Sequence, residues 1–238
     1  MPSNGVVHYA KEFGDWSVAG VDTLQMLLNA ILAALIGYAL GGFPSAYVIG
    51  KLNGIDIFKI GSGNMGATNI LRVLGFKWAL LVWLMDTGKG ILAVLVVRAV
   101  LVGDPTLHSI LAGIAAVIGH SWSLPVRLIT GQLRGGKGAA TAGGTWLIIF
   151  FPWAHLIIVP LSVMFAVIIA TRYVSLAVLA TAATGLLVAL HFVTQNTTNA
   201  SPLYFIYALA IVVLVYYRHR ENIQRLREGR ERRIGDPA

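Results

Sequence analysis

The chain has 238 residues, 57% of them hydrophobic and only 12% charged, with a mean hydropathy of +0.75. An ordinary soluble domain carries about 25% charged residues, so this composition excludes a water-soluble globule and makes lipid the solvent for most of the chain. There is no cysteine, which removes disulfides, thiolate catalysis and cysteine metal sites. The net charge of +8 does not point to nucleic acid, because seven arginines between Arg218 and Arg233 crowd the end of the chain directly after an apolar run.

Residues 1–23 are mixed polar, with no basic region and small-residue cleavage site ahead of the first apolar run, and are expected to form an extracytoplasmic extension. Apolar blocks follow at 24–50, 77–102, 106–120, 138–151, 153–170, 174–193 and 202–217. In hydrocarbon a backbone must satisfy its own hydrogen bonds, so each block reads as a spanning helix. Residues 138–170 could be one long helix or two short ones broken near Pro152. Two helices gather Lys51, Lys59, Arg72, Lys77, Arg127, Arg134, Lys137, Arg172 and the arginine-rich tail on one side, which the positive-inside rule makes cytoplasmic. The expectation is therefore an all-α integral membrane protein with seven transmembrane helices, N-terminus outside and C-terminus cytoplasmic. One membrane domain covers residues 24–226, and a basic cytoplasmic tail covers 227–238. The third to fifth blocks are short for a span, which needs about 20 residues. Gly41, Gly42, Ser45, Gly113, Ala142, Gly143 and Gly144 would let helix backbones approach closely.

Between the first two blocks lies G-S-G-N-M-G-A-T-N-I-L-R, residues 61–72, with Asp86 twenty residues after Gly66. That spacing imitates a dinucleotide fingerprint, but no parallel sheet fits in a short loop between spans, so the nucleotide reading fails on context. What remains is a run of small residues (Ser62, Gly63, Asn64, Gly66, Thr68, Asn69) leading into a helix start and Arg72. Successive N–H groups of such a run converge on an anion, and phosphate is the natural guest. A second loop, G-G-K-G-A-A-T at 135–141, again opens a helix. With Gly131 it nearly spells a Walker A motif, but Gly138 stands where the magnesium-binding hydroxyl belongs, so ATP hydrolysis is not expected. Gly136, Lys137 and Gly138 suit a phosphate without metal. Two such loops on one face suggest two phosphate subsites.

Asp86 and Lys89 in D-T-G-K-G share a helical face inside the second block, where an ion pair is either functional or structural. G-H-S-W-S-L-P sets His120 and Ser123 at the end of the third block, and the histidine alone decides between base, donor and anchor no further. Ser175 opens the sixth block, where a serine is more often a helix cap than a ligand. His219 and Asn222 lie three apart at the end of the seventh, beside Glu221 and ahead of arginines that read as a membrane anchor. The H-x-x-x-x-D acyltransferase dyad, a metal-ligand cluster and a G-x-S-x-G elbow are all missing from the sequence.

G-S-G-N-M-G-A-T-N-I-L-R, D-T-G-K-G, G-H-S-W-S-L-P, G-G-K-G-A-A-T and R-H-R-E-N resemble, in that order, the motifs of the bacterial acyl-phosphate-dependent glycerol-3-phosphate acyltransferases, the PlsY family. The resemblance runs from about residue 24 to 226, with Met65 where proline or valine is common and residues 1–23 beyond the usual start. It implies an enzyme of the bacterial inner membrane, its active site facing the cytoplasm, that joins a long-chain acyl phosphate to glycerol 3-phosphate among membrane lipids. No cofactor, metal or nucleic acid is expected from the residues. The resemblance carries function to Ser62, Arg72, Lys137, Ser175, His219 and Asn222, with Asp86, Lys89, His120 and Ser123 as possible supports. His219, His120 and the donor's own phosphate are the candidate bases. The rival reading, a transporter of a phosphorylated metabolite, would place its site near the midplane between repeats. Here the polar motifs cluster at one face and no repeat is visible.

Overall fold

Along the inner side of the first apolar block a small or polar residue recurs every fourth position: Asn29, Ala33, Gly37 and Gly41 are buried, while leucines and isoleucines between them face outward. A computed structural model gives the fold of residues 23–195 and 200–236 as eleven helices and no strand. Of residues 1–23, expected to be an extracytoplasmic extension, the first 22 lie outside the described residues, and Thr23 already opens the first helix. In chain order the helices are α1 (Thr23–Gly41), α2 (Ser45–Leu52), α3 (Ala67–Leu74), α4 (Phe76–Val100), α5 (Pro105–Ser121) and α6 (Leu124–Thr130). They continue with α7 (Ala139–Ile149), α8 (Ala154–Thr171), α9 (Val174–Thr194), α10 (Leu203–Arg218) and α11 (Arg220–Arg227).

Backbone approach, not large side chains, holds the centre together. A Cβ at Gly37 or Gly41 would strike the α5 backbone at Ala112 or Ala116, and one at Gly90 or Gly144 would strike the facing helix at Thr141 or Thr87. Small residues are used because lipid tails are as apolar as leucine, so helices associate in a membrane through close packing and interhelical hydrogen bonds. The large apolar side chains go the other way: Leu35, Leu84, Phe165, Ile169, Leu187 and Val213 are exposed. Water would not tolerate so broad an apolar exterior.

All seven apolar blocks are helical, but not as seven uniform helices. By length and apolarity, the run Thr23–Leu52 and helices α4 and α9 are able to cross a bilayer, and α10 with α11, bent by 61°, makes a fourth. Helices α7 and α8 are apolar but shorter. The first block, expected as one helix, breaks at Gly42–Phe43–Pro44, since Pro44 cannot donate to the preceding turn. The carbonyls freed there are met from elsewhere in the chain: Lys89 Nζ donates to Phe43 O at 2.8 Å and Ser123 Oγ to Gly42 O at 2.6 Å. At the opposite end Asn29 Nδ2 donates to Val102 O at 2.6 Å. Helix α8 packs chiefly along α9 and meets α7 through the Trp146–Leu156 contact, which leaves a slot beside it.

Candidate active site

The loop over 61–66 is shaped by one side chain. Gly61 and Gly63 take φ of +64° and +65°, a region that suits glycine. Asn69 fills the inside of the turn, accepting from Ser62 N at 2.9 Å and donating to Ile60 O and Ile57 O at 3.1 and 3.3 Å. Asn69 thus organises the loop that leads into α3 and has its side chain committed to backbone. The second loop is held by Arg218, whose guanidinium donates to Gly136 O at 2.9 Å and Gly135 O at 3.4 Å while lying over the Trp122 ring. Gly136 passes so close to His120 that a Cβ there would collide with the imidazole.

Between α7, α8, α9 and α10 lies a cavity of about 680 Å³. Three helices begin at its polar end: the first-turn residues Ala67 and Thr68 of α3, Ala139 and Ala140 of α7, and Val174 and Ser175 of α9 all line it. None of the three has a side-chain cap. Side-chain caps are few in this fold: α5 and α6 start with Asp104 and Ser123, whose side chains accept from Thr106 N and Val126 N, while α2, α4, α8, α10 and α11 also lack one. What sets α3, α7 and α9 apart is that they start at one cavity. An uncapped helix start leaves N–H groups and the positive end of the helix dipole available to an anion, and three converge here.

Cationic side chains join them. Arg72 and Arg232, from distant parts of the chain, both line the polar end, and burial together with the neighbouring Arg232 lowers the Arg72 pKa. Lys137 donates to Asn222 Oδ1. Burial, with repulsion from Arg225, brings the Lys137 ammonium down to about 8. His219 caps the end of α10, its Nδ1 2.8 Å from Val215 O. A carbonyl only accepts, so Nδ1 carries the proton and Nε2 is left with a lone pair. Burial takes the His219 pKa down to about 4, so the ring is neutral near pH 7.

Ser175 is not the cap its position suggested. Its hydroxyl donates to Glu231 at 2.8 Å, the same Oε1 that accepts from Asn222 Nδ2 at 2.6 Å, and Arg225 Nε donates to Oε2 at 2.8 Å. Burial acts to raise the Glu231 pKa, but those three donors outweigh it and hold the carboxyl below its usual range. The tail is tied further by Ile234 N donating to Arg172 O at 2.8 Å and by Arg233 stacked on Tyr173. Arg225 and Arg232, read from sequence as a generic basic end, line the cavity together with Glu231, and Arg218 of the R-H-R-E-N motif holds the loop beside it. Only their place in three dimensions distinguishes them from Arg227 or Arg230.

The remaining sequence candidates divide. Ser62, Asn64, Gly66, Thr68, Arg72, Lys137, Gly138, Ser175, His219 and Asn222 meet at the polar end. Asp86 and His120 border the cavity within the bundle, Asp86 Oδ1 lying 2.8 Å from Lys89 Nζ and 3.6 Å from His120 Nδ1. Lys89 and Ser123 face the α1–α2 break, Gly63 forms the turn, and Gly136 offers its carbonyl to Arg218. Among the described residues no three of His, Cys, Asp and Glu gather into a cation site. From the polar end an apolar slot runs along α8 past Ile168, Phe165, Met164, Leu161 and Pro160, faced by Val215, Ile211 and Ala208 of α10.

Residues 31–229 match the family model described as glycerol-3-phosphate acyltransferase. The chain belongs to the glycerol-3-phosphate acyltransferase family. Among its relatives, the glycerol-3-phosphate acyltransferase of Synechococcus sp. strain CC9902 is 41% identical over 89% of this chain and 98% of its own, and that of a Thermus thermophilus strain is 40% identical over 88% and 97%. The solved structure of PlsY (YgiH), an integral membrane glycerol 3-phosphate acyltransferase, aligns with a TM-score of 0.74 at 33% identity in its glycerol 3-phosphate form, covering 87% of this chain and 96% of that one. In its lysophosphatidic acid form the TM-score is 0.70 at 34% identity, over 86% and 94%. The chain is accordingly an integral membrane acyltransferase of phospholipid biosynthesis.

A lysine attracts a phosphate only while protonated. With Lys137 at about 8 in the free protein, kcat/KM for glycerol 3-phosphate is expected to hold below that pH and to fall as pH rises through it, His219 staying neutral throughout. Lys137→Arg should move the alkaline limb upward. A limb that stays in place in that variant would remove Lys137 from the titration.

Proposed function

We propose that the acyl donor is a long-chain acyl phosphate and that the products are 1-acyl-glycerol 3-phosphate (lysophosphatidic acid) and inorganic phosphate. What carries this reading is one continuous cavity with two chemistries: three uncapped helix starts with Arg72 and Lys137 at one end, and an apolar slot at the other. One substrate with a phosphate and no chain, and another with both, suit such a space. The relative solved in glycerol 3-phosphate and lysophosphatidic acid forms supports it.

In the step proposed, the glycerol 1-hydroxyl oxygen forms a bond to the acyl carbon while the bond from that carbon to the phosphate oxygen breaks. The hydroxyl proton passes to the departing phosphate or to His219 Nε2, and the second phosphate stays bound. An acyl phosphate is already activated, so the protein has mainly to align two anions and stabilise developing charge. Arg72, Lys137, Ser62, Ser175, Asn222 and the free amides of the two glycine loops would do this, with Asp86 and His120 behind them. The reading includes seven spans with the N-terminus outside, residues 24–226 as the catalytic domain, and a site on the cytoplasmic face of the bacterial inner membrane. The one-sided distribution of lysine and arginine supports that orientation. Reporter fusions at Gly61, Gly135 and the C-terminus are expected to report cytoplasm, and an external C-terminus would overturn it.

Purified protein given labelled glycerol 3-phosphate should form product with palmitoyl phosphate and none with palmitoyl-CoA, and turnover should persist in excess EDTA. Product from the thioester alone would refute the donor assignment, and loss on chelation with recovery on adding magnesium would refute a metal-free site. Arg72→Ala and Lys137→Ala should each reduce turnover by about 100-fold or more in folded, inserted protein, on the scale of lost charge-stabilising groups in active sites.

A further inference from the structure

The slot stops at one level on four helices. Its deepest lining residues are Trp146 and Leu147 of α7, Ile157 of α8, Gly185 of α9 and Ala208 of α10. Measured along α10 from His219, that level lies roughly 16 Å down the cavity at about 1.5 Å per residue. The Trp146 indole reaches all three facing helices there. Its Nε1 donates to Leu156 O at 2.8 Å. Pro160 is four residues beyond Leu156 and has no N–H, so the helix itself supplies no donor to that carbonyl. The proline that lines the slot thus leaves free the acceptor that anchors the tryptophan. On α9 the ring faces Gly185, where a Cβ would come within 3.1 Å of it. Behind it stand Phe150 and Tyr207, with ring centroids at 4.4 and 5.9 Å, and the Tyr207 hydroxyl is 2.7 Å from Thr145 Oγ1. Phe150, Leu156 and Tyr207 are fully buried.

From this we propose that Trp146 is the floor of the acyl groove and sets the longest chain the enzyme uses at full rate. The proposal rests on the reading that the slot holds the acyl chain. A floor fixed by a hydrogen bond, a glycine and two rings does not yield to an extra methylene, so a longer chain has to withdraw its reacting end from the polar site.

The test is a series of saturated acyl phosphates of increasing length offered to wild type, Trp146→Ala, Trp146→Phe and Gly185→Ala. In Trp146→Ala the optimum should move to longer chains, with kcat/KM for a donor two carbons beyond the wild-type optimum rising roughly tenfold relative to that optimum. Trp146→Phe, which keeps a ring but loses the bond to Leu156, should shift less. Gly185→Ala, which adds a methyl against the ring at a slot-lining position, should shift the optimum to shorter chains. A tryptophan that served only packing would lower all lengths alike, so an unchanged length profile in active Trp146→Phe and Gly185→Ala overturns the proposal. No product from any acyl phosphate in wild type would remove the groove reading itself.

A different observation stands at the polar end. Residue 231 lies beyond the family match at 31–229, yet its carboxylate is 6% exposed and takes hydrogen bonds from Ser175, Asn222 and Arg225 at once. Two oxygens gathering a hydroxyl, an amide and a guanidinium are what a phosphate would gather. We infer that Glu231 occupies a phosphate subsite in the free protein and competes with substrate for it. Glu231→Gln removes the charge but keeps the shape, and is expected to lower KM for glycerol 3-phosphate or for the acyl phosphate about threefold or more, with faster tryptic cleavage at Arg232 and Arg233 when wild type binds that substrate. A raised KM for both, or cleavage that substrate slows, would mean that Glu231 organises the site rather than competing for it.

Discussion

An anion held at the edge of a hydrocarbon layer needs donors that no other group has already claimed. Three helix starts in this protein meet that condition together. Helices α3, α7 and α9 all begin around one cavity without side-chain caps, and their convergence there, rather than the missing caps alone, makes the site. Amides at a helix start are costly to bury unpaired, and where three such starts share one cavity a single anion can take them up together.

Bringing three helix starts to one point requires backbones to pass at distances that side chains forbid. Glycine supplies them at Gly37, Gly41, Gly90 and Gly144, each facing a neighbouring backbone. The break in the first apolar block belongs to the same construction. Lys89 and Ser123 bind the carbonyls it frees, and Lys89 completes an ion pair with Asp86, which borders the cavity. A lysine that looks functional because it is intramembrane is here spent on backbone and on its partner. Removing one member of such a buried pair leaves an uncompensated charge.

The tail changes the character of the site. Were residues 227–236 only a membrane anchor, the polar end would be simply cationic. Instead Glu231 links Ser175, Asn222 and Arg225, Arg232 joins Arg72, and Arg172 and Tyr173 fasten the segment at the α8–α9 corner. Cation and carboxylate are thus interleaved, and the balance between them governs how an incoming phosphate is received.

The sequence alone determined what depends on near neighbours and on the solvent. Apolar blocks, the lack of a sheet among the described residues, the two glycine loops and the order of the motifs were legible because lipid forces each apolar run into helix and because a Gly-rich turn before a helix is a local signal. Contacts across long separations were not legible. Ser175 read as a cap because capping is the local habit of serine, whereas its partner lies 56 residues away. Asn69 read as a ligand, yet the turn preceding it uses its amide. The link from Trp146 to the carbonyl freed by Pro160 involves two residues of no evident pattern, which only the packing of α7 beside α8 brings together. Tertiary structure decided these because a side chain's partner is set by which helix faces it, and that choice is made by the packing of the whole bundle.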